Sequence, residues 1–410
     1  MLAILLISAC TGLGSHVRAA EPFTIDELLV MADAHNPRIA AARAGMEEAL
    51  GRQQQAGLYP NPFIAVMQDD VPSDSGDVGD GTTTVTLGQP VTLSRRRGHE
   101  VRAAEAGVDA AKWEFESVRH TVFNDLHETW FEIAFAGQAI EVEYALIEEA
   151  ERLAGSARTE GERVRAELEA ETLLAGVLTY VTRQAVARER LTELLGGIDV
   201  ETHRLQGTLE SALDPSEIAR LQAQSVEEHP RLRMREAQVR GARSDWRAAE
   251  SAVIPDVTFS VLGGYWGNDE EGFVGAGVMV PLPLINRLQG RRAEAKAGIA
   301  RREAERDAEE IALETELQTM LQLINELDTL VQTYGTRLVP MAEESLLSTG
   351  ESYAGGGVGM ADALESLRSL AAVRRAELRY RYELSTTLSR YRHFVLYGPQ
   401  GSPETVTATK

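Results

Sequence analysis

Apolar positions recur along most of this chain at the spacing of one helix face, and twice that spacing gives way to alternation at a proline. Helix-forming residues run from Pro37 to Gln55, meet Tyr59-Pro60-Asn61-Pro62, and are followed by a period-two pattern. AAESAVIPDVTFSVLGGYW makes the same change at Pro255. In TVTLGQPVTL, Val85, Leu87, Val91 and Leu93 share one strand face and Thr84, Thr86, Gly88 and Thr92 the other. Val257, Phe259, Val261 and Tyr265 likewise alternate with Thr258, Ser260 and Gly264, and Val274, Ala276, Val278 and Val280 with Gly275, Gly277 and Met279.

Between the alternating stretches lie long helical patterns. From about Arg97 to Arg158 the apolar positions Val101, Ala104, Val108, Ala111, Phe115, Val118 and Val122 step by three and four, as in a coiled-coil seam, and the pattern resumes at Trp130. About 60 residues at roughly 1.5 Å each predict a helix on the order of 90 Å, and so an elongated protein. A counterpart runs from about Arg291 to Ser348, with Pro340 as an expected kink. Return helices are predicted from about Ala166 to Leu195 and from Met360 to about Phe394.

The chain is written twice. TIDELLVMADAHNPRIAAARA and PSEIARLQAQSVEEHPRLRMREA superpose with Pro37 on Pro230 and Ala44 on Ala237, and the same offset carries Pro62 onto Pro255. Further on, Pro90 aligns with Pro281, Gly161 with Gly357 and Leu168 with Leu364. Each unit reads as a short helix ending at Asn36-Pro37 or His229-Pro230, a longer helix, a β-hairpin with a polar loop, a very long helix, a glycine-marked reversal and a return helix. This predicts a first repeat over 21–198 with strands near 62–69 and 82–93, a linker over 199–217, a second repeat over 218–397 with strands near 256–266 and 273–284, and a tail over 398–410.

Composition narrows the function classes. The chain of 410 residues has a formal charge of -22, which argues against nucleic acid as a partner. Its single cysteine, Cys10, excludes a disulfide framework or thiolate cluster. MLAILLISACTGLGSHVRAAEPFT has the form of a secretory leader over residues 1–20. Two processing routes stay open: ordinary cleavage near Ala19 or Ala20, and a lipoprotein box in which Cys10 is acylated. No run of about 18 apolar residues follows, so a membrane crossing would have to use strands.

A strand of about 10 residues with one apolar face and one small or polar face suits a water-filled barrel. A soluble hairpin packed on a core would show the same alternation. Two features favour the barrel: the hairpins occupy equivalent places in a duplicated, exported chain, and both loops (DDVPSDSGDVGDG and GNDEEG) are strongly polar. Four strands are too few to close, since spanning barrels start at about eight, so copies must share one barrel.

LYPNP before the first strand, QPVTLSRRRG and VPLPLINRLQG after the second strands, YAGGGVGMADALESLRSL at the last reversal and the duplication itself resemble the TolC family of outer membrane efflux proteins. The likeness covers about residues 22–397 and is greatest to the CzcC/CusC-type branch that serves heavy-metal resistance-nodulation-division pumps. It implies a mainly α protein with a β-barrel contribution: a homotrimer with a twelve-stranded outer membrane barrel and an α-helical coiled-coil tunnel in the periplasm. It implies a passive exit duct for substrates such as heavy-metal cations, docked on a periplasmic adaptor and an inner membrane pump, with no cofactor. By the same likeness Asp362 and Glu365 match acidic rings at the tunnel entrance, Tyr353 a gate tyrosine, and Gly161, Gly355, Gly356, Gly357 and Gly359 the tips that meet the adaptor. The arginine usual in the gate network falls at Val358 here.

The residues carry plainer readings too. Asp362 precedes an apolar run and reads equally as an N-cap, and the glycines read as left-handed turns between helices. Glu116, His120, Asn124 and His127 fall at spacings that could present metal ligands, but a polar helix face is the better reading. Asp74, Asp77 and Asp80 lack the alternation of a calcium loop. No phosphate-binding, zinc-protease or serine-hydrolase motif occurs, so no enzyme is predicted. The alternative from a different class is a soluble periplasmic coiled-coil scaffold or adaptor.

Overall fold

The computed structural model describes residues 23–70, 81–200, 205, 207–209, 226–266 and 271–395. Cys10, the leader, Asp74, Asp77, Asp80 and most of the inter-repeat segment lie outside the described residues. The elements are α1 (Ile25–His35), α2 (Pro37–Gly57), β1 (Phe63–Asp69), β2 (Thr82–Val91), α3 (Arg96–Gly155), α4 (Glu160–Leu194), a 3-10 turn (Val226–Glu228), α5 (Pro230–Ser251), β3 (Val257–Trp266), β4 (Gly272–Met279), α6 (Gln289–Thr333), α7 (Val339–Ala354) and α8 (Met360–Val395).

Pro37 follows α1 and opens α2, and Pro230 follows the 3-10 turn and opens α5, the short helix predicted before it lying outside the described residues. The Asn36 side chain accepts from the N–H groups of Arg38 and Ile39 at 2.8 and 3.3 Å, with Pro37 at the first helical position of α2. His229 does the same for α5, its Nδ1 accepting from Arg231 N–H at 3.3 Å ahead of Pro230. Pro340 acts one turn upstream of itself. Its missing N–H cannot bond the carbonyl four residues back, and the backbone passes through a π turn at Tyr334–Leu338 before α7 resumes.

The chain divides into two compact units. One, made of residues 35–125, 211–335 and 383–410, holds the sheet with α2, α5, α6 and parts of α3 and α8. Its helices bury Ile39, Val122, Leu232, Leu313, Ile324 and Leu388. The other, made of residues 1–34, 126–210 and 336–382, is mostly helical where it is described, with one parallel bridge between Phe23 and Leu205, and packs around Leu146, Leu153, Leu173, Tyr353, Met360 and Leu367.

The sheet is antiparallel throughout, in the order β1-β2-β3-β4, so the two hairpins form one surface through β2 and β3. Its register sets Ile64, Leu87, Val261 and Ala276 in one row, with Val66, Val85 and Val274 in the next. This face is apolar and open: Ile64 is 72%, Val66 70%, Val261 58% and Val274 86% exposed. The opposite face carries Thr84, Thr86, Thr258, Ser260 and several glycines, with rings lying over glycine backbone. A Cβ on Gly88 would sit 2.4 Å from the Phe63 ring, and one on Gly264 would sit 2.3 Å from Phe273 Cζ and 2.4 Å from the Thr83 carbonyl oxygen.

The alternating stretches end sooner than the sequence reading had them. β2 stops at Val91, where its partner β3 begins at Val257, and β4 at Met279, because Pro281 and Pro283 have no N–H to continue a ladder. α4 starts at Glu160, six residues before the apolar pattern, because a capping box at Thr159 and Glu162 nucleates it there.

Gly264→Ala should destabilise the protein by about 1–3 kcal/mol, since one of its contacts is immobile backbone. Gly263→Ala, whose nearest neighbour is 3.5 Å away, should be tolerated. Thermal unfolding of both variants in detergent checks this; equal midpoints would refute it.

Candidate functional site: the two helix reversals

α3 turns into α4 through Ser156–Thr159, and α7 into α8 through Gly355–Gly359. The first reversal closes on a carboxylate. Thr159 Oγ1 accepts from Glu162 N–H at 3.2 Å, while Glu162 Oε2 accepts from the N–H groups of Thr159 and Arg158 at 3.1 and 3.0 Å. The second reversal is a Schellman motif. Gly357 N–H bonds Ser352 O at 2.8 Å and Gly356 N–H bonds Tyr353 O at 3.0 Å, with Gly356 left-handed at φ +85°.

Tyr353 joins the two reversals. Its side chain is buried, and its hydroxyl accepts from Arg158 N–H at 3.3 Å and donates to Glu162 Oε2 at 3.2 Å. The Arg158 guanidinium lies over the Tyr353 ring, 4.5 Å from its centroid. Glu162 therefore titrates low: partial desolvation opposes this, but bonds from Arg158, Tyr353 and Thr159 together outweigh it.

Asp362 is not the N-cap of α8. Gly359 holds that position, and Asp362 reaches back from the third helical position to accept from Gly359 N–H at 3.0 Å. Its negative charge suits a helix N-terminus. Glu365 is exposed one turn on, 3.9 Å from Arg368. Tyr353 makes no described hydrogen bond to either. Of the five glycines singled out from sequence, only Gly356 is left-handed; Gly161 is helical, the second residue of α4, with open space around its Cα. Its sequence partner Gly357 sits in a turn, so the two occupy different local structures.

Sequence reasoning missed Arg158 and Glu162. Thr159-Glu160-Gly161-Glu162 is a capping-box pattern that was readable; the approach of Arg158 to a ring on another hairpin was not.

Behind the reversals α8 is clamped by arginines. Arg375 gives two bonds, 2.6 and 2.7 Å, to the carboxylate of Glu143, which is 0% exposed. Gly176 makes room for this pair, since a Cβ there would lie 3.3 Å from Glu143 Oε2. Arg368 gives two more, 2.9 and 2.7 Å, to Glu169 Oε2. Arg183 pairs with Glu132 while lying over the rings of Phe135 and Tyr382, and burial, with Glu132 beside it, raises the Tyr382 hydroxyl well above its ordinary value.

The polar stripe on α3 forms no metal cage: among the described residues no three His, Cys, Asp or Glu side chains converge suitably. His120 lies 4.0 Å from Glu116, and burial, helped by Arg119, lowers its imidazole to about 4.

A profile of the family described as "Outer membrane efflux protein" matches residues 28–197 and 221–392. The chain belongs to that family. It is 23% identical over 393 residues to the cobalt-zinc-cadmium resistance protein CzcC of Cupriavidus metallidurans, covering 91% of this chain and 90% of that protein. The open-state MtrE outer membrane channel of Neisseria gonorrhoeae superposes with a TM-score of 0.77 at 17% identity, over 91% of this chain and 89% of that one. CusC, a transmembrane channel, does so with 0.74 at 15% identity, over 90% and 91%. This outer membrane efflux protein is thus a transport channel and not an enzyme; it resides in the outer membrane and extends into the periplasm. The soluble scaffold reading falls with that membership.

Two outcomes follow from the geometry. Arg375→Ala should cost about 3–5 kcal/mol by leaving a buried carboxylate unpaired, and Glu143→Leu with Arg375→Met should recover most of it in thermal unfolding. Because the folded Glu162 carboxyl titrates below its unfolded value, its contribution is complete above about pH 4.5 and is lost as pH falls through its lower folded value. Hydrogen exchange at residues 156–162, corrected for intrinsic rates, should therefore quicken on acidification. Glu162→Gln should abolish that dependence.

Proposed function

We propose that three copies of this chain form one twelve-stranded barrel and a helical tunnel, serving as the exit duct of a tripartite pump. The observation that carries this is the open sheet: four strands with an apolar, exposed face and two unpaired edges, β1 and β4. Pairing β4 of one copy with β1 of the next satisfies both edges, and the small and polar face then lines water.

The duct makes and breaks no bonds. A periplasmic adaptor meeting the exposed tips at Gly161, Gly355, Gly356, Gly357 and Gly359 and an inner membrane resistance-nodulation-division pump deliver the substrate. The likeness to a cobalt-zinc-cadmium resistance protein favours heavy-metal cations as cargo. Asp362 and Glu365, one helical turn apart and solvent-exposed, would form a threefold acidic ring that concentrates cations in a narrow mouth. Tyr353, Arg158 and Glu162 hold the two reversals of one protomer together, so Arg158 takes the place of the arginine missing at Val358.

The test is single-channel recording of the purified protein in a planar lipid bilayer. Wild type should give discrete cation-selective steps, and Asp362→Asn with Glu365→Gln should lower the cation-to-anion permeability ratio read from the reversal potential. A silent bilayer with folded protein present would overturn the duct, and unchanged selectivity would overturn the acidic mouth.

A further inference from the structure

The acidic chain carries two purely basic stretches, at equivalent places in its halves. LSRRRGH (93–99) and LINRLQGRRA (284–293) each hold three arginines and no carboxylate, in a protein with 63 Asp and Glu against 41 Lys and Arg. Each follows the second strand of its hairpin and leads into a long helix. The register brings both stretches to one end of the sheet, because Val91 pairs with Val257 and Met279 with Thr258. α3 and α6 both leave the sheet at this end, which on the duct reading proposed above is the periplasmic end of the membrane sheet.

The surface there has two textures. Leu93, Leu282, Leu284 and Ile285 are 61%, 73%, 72% and 92% exposed, just beyond the last residues of β2 and β4. Arg95 and Arg287 are exposed and make no described ion pair, Arg291 is exposed and acts on Asp245 of the neighbouring helix, and Arg97 stacks 3.7 Å above the Tyr59 ring with its Nη1 buried and unbonded. Arg96 differs, being tied to Asp256 at 3.0 Å.

The charges also run against local helix energetics. α3 and α6 have no acidic residue in the first turn but begin among arginines, at the positive end of the helix dipole. α6 further lacks a side-chain cap, and its leading Leu288 is left-handed at φ +56°. His99 titrates below its ordinary value, through partial burial first and then Arg102, Arg247 and Arg95. Chain carboxylates answer Arg96 and Arg292, through Glu100 at 3.4 Å and Glu250 at 3.9 Å, but Arg95 and Arg287 are left to an anion from outside the chain, which a helix start also favours.

We infer that this belt binds anionic phospholipid of the periplasmic leaflet, with the acyl chains against Leu93, Leu282, Leu284 and Ile285 and the phosphate among Arg95, Arg97, Arg287 and Arg291. Arginine suits the role, since its stem lies along apolar surface while its planar head grips a phosphate. The lipid seals the line where the barrel ends and the water-exposed helices begin.

Full-length protein in detergent is offered equal phosphatidylglycerol and phosphatidylcholine, and retained lipid is identified by native mass spectrometry. Wild type should prefer phosphatidylglycerol, and rising salt should erode the preference. The combined variant R95Q/R97Q/R287Q/R291Q should lower the ratio at least about fivefold, the effect of one juxtamembrane arginine. R301Q, further along α6, should not. A wild-type protein with no preference, or one indifferent to salt, overturns the proposal without recourse to any variant. So does a combined variant that keeps the preference, or one that loses self-association while keeping it, which would assign the arginines to a neighbouring copy. Channel conductance is not the readout, so this test can fail while the duct stands.

Discussion

Inside hydrocarbon every backbone N–H and C=O must find a partner, at several kcal/mol for each that does not. A four-stranded sheet with two bare edges and an apolar outer face cannot meet that demand alone. The requirement explains why the sheet draws its strands from both halves of the chain: β2 and β3 zip together over ten residue pairs, so each copy presents only one edge at either side. It also accounts for the prolines at 60, 62, 255, 281 and 283, which flank the strands where the ladder ends.

The helices answer a different constraint. They live in water and are held by tertiary packing, with apolar seams of Leu, Ala and Val and a set of arginine clamps. Burying Glu143 completely is costly, and the two-pronged bond from Arg375 makes it tolerable. Such pairs add specificity of register more than net stability: Arg368 and Arg375, seven residues apart on α8, each find one carboxylate, on α4 and α3 respectively. A slip of one turn would leave both buried carboxylates unpaired.

At the reversals, a tyrosine hydroxyl from the second hairpin and one carboxylate gather the loop amides of the first. Glu162 Oε2 accepts from three donors, Arg158 N–H, Thr159 N–H and Tyr353 O–H. That economy makes the junction firm and also makes it dependent on a single charge.

The sequence by itself determined what repeats locally. Alternation placed Val85, Leu87, Val261 and Val274 on one face because successive side chains on a strand point opposite ways whatever the strand pairs with. The three-four stepping of apolar residues along α3 marked a helix of 60 residues for the same reason. Tertiary structure decided what depends on approach between distant segments. It joined the hairpins into one sheet, brought the Tyr353 hydroxyl onto Glu162, and set Arg375 on the buried Glu143. Those outcomes turn on whether groups far apart in the chain come within about 3 Å of one another, and no periodicity within a single segment encodes that distance.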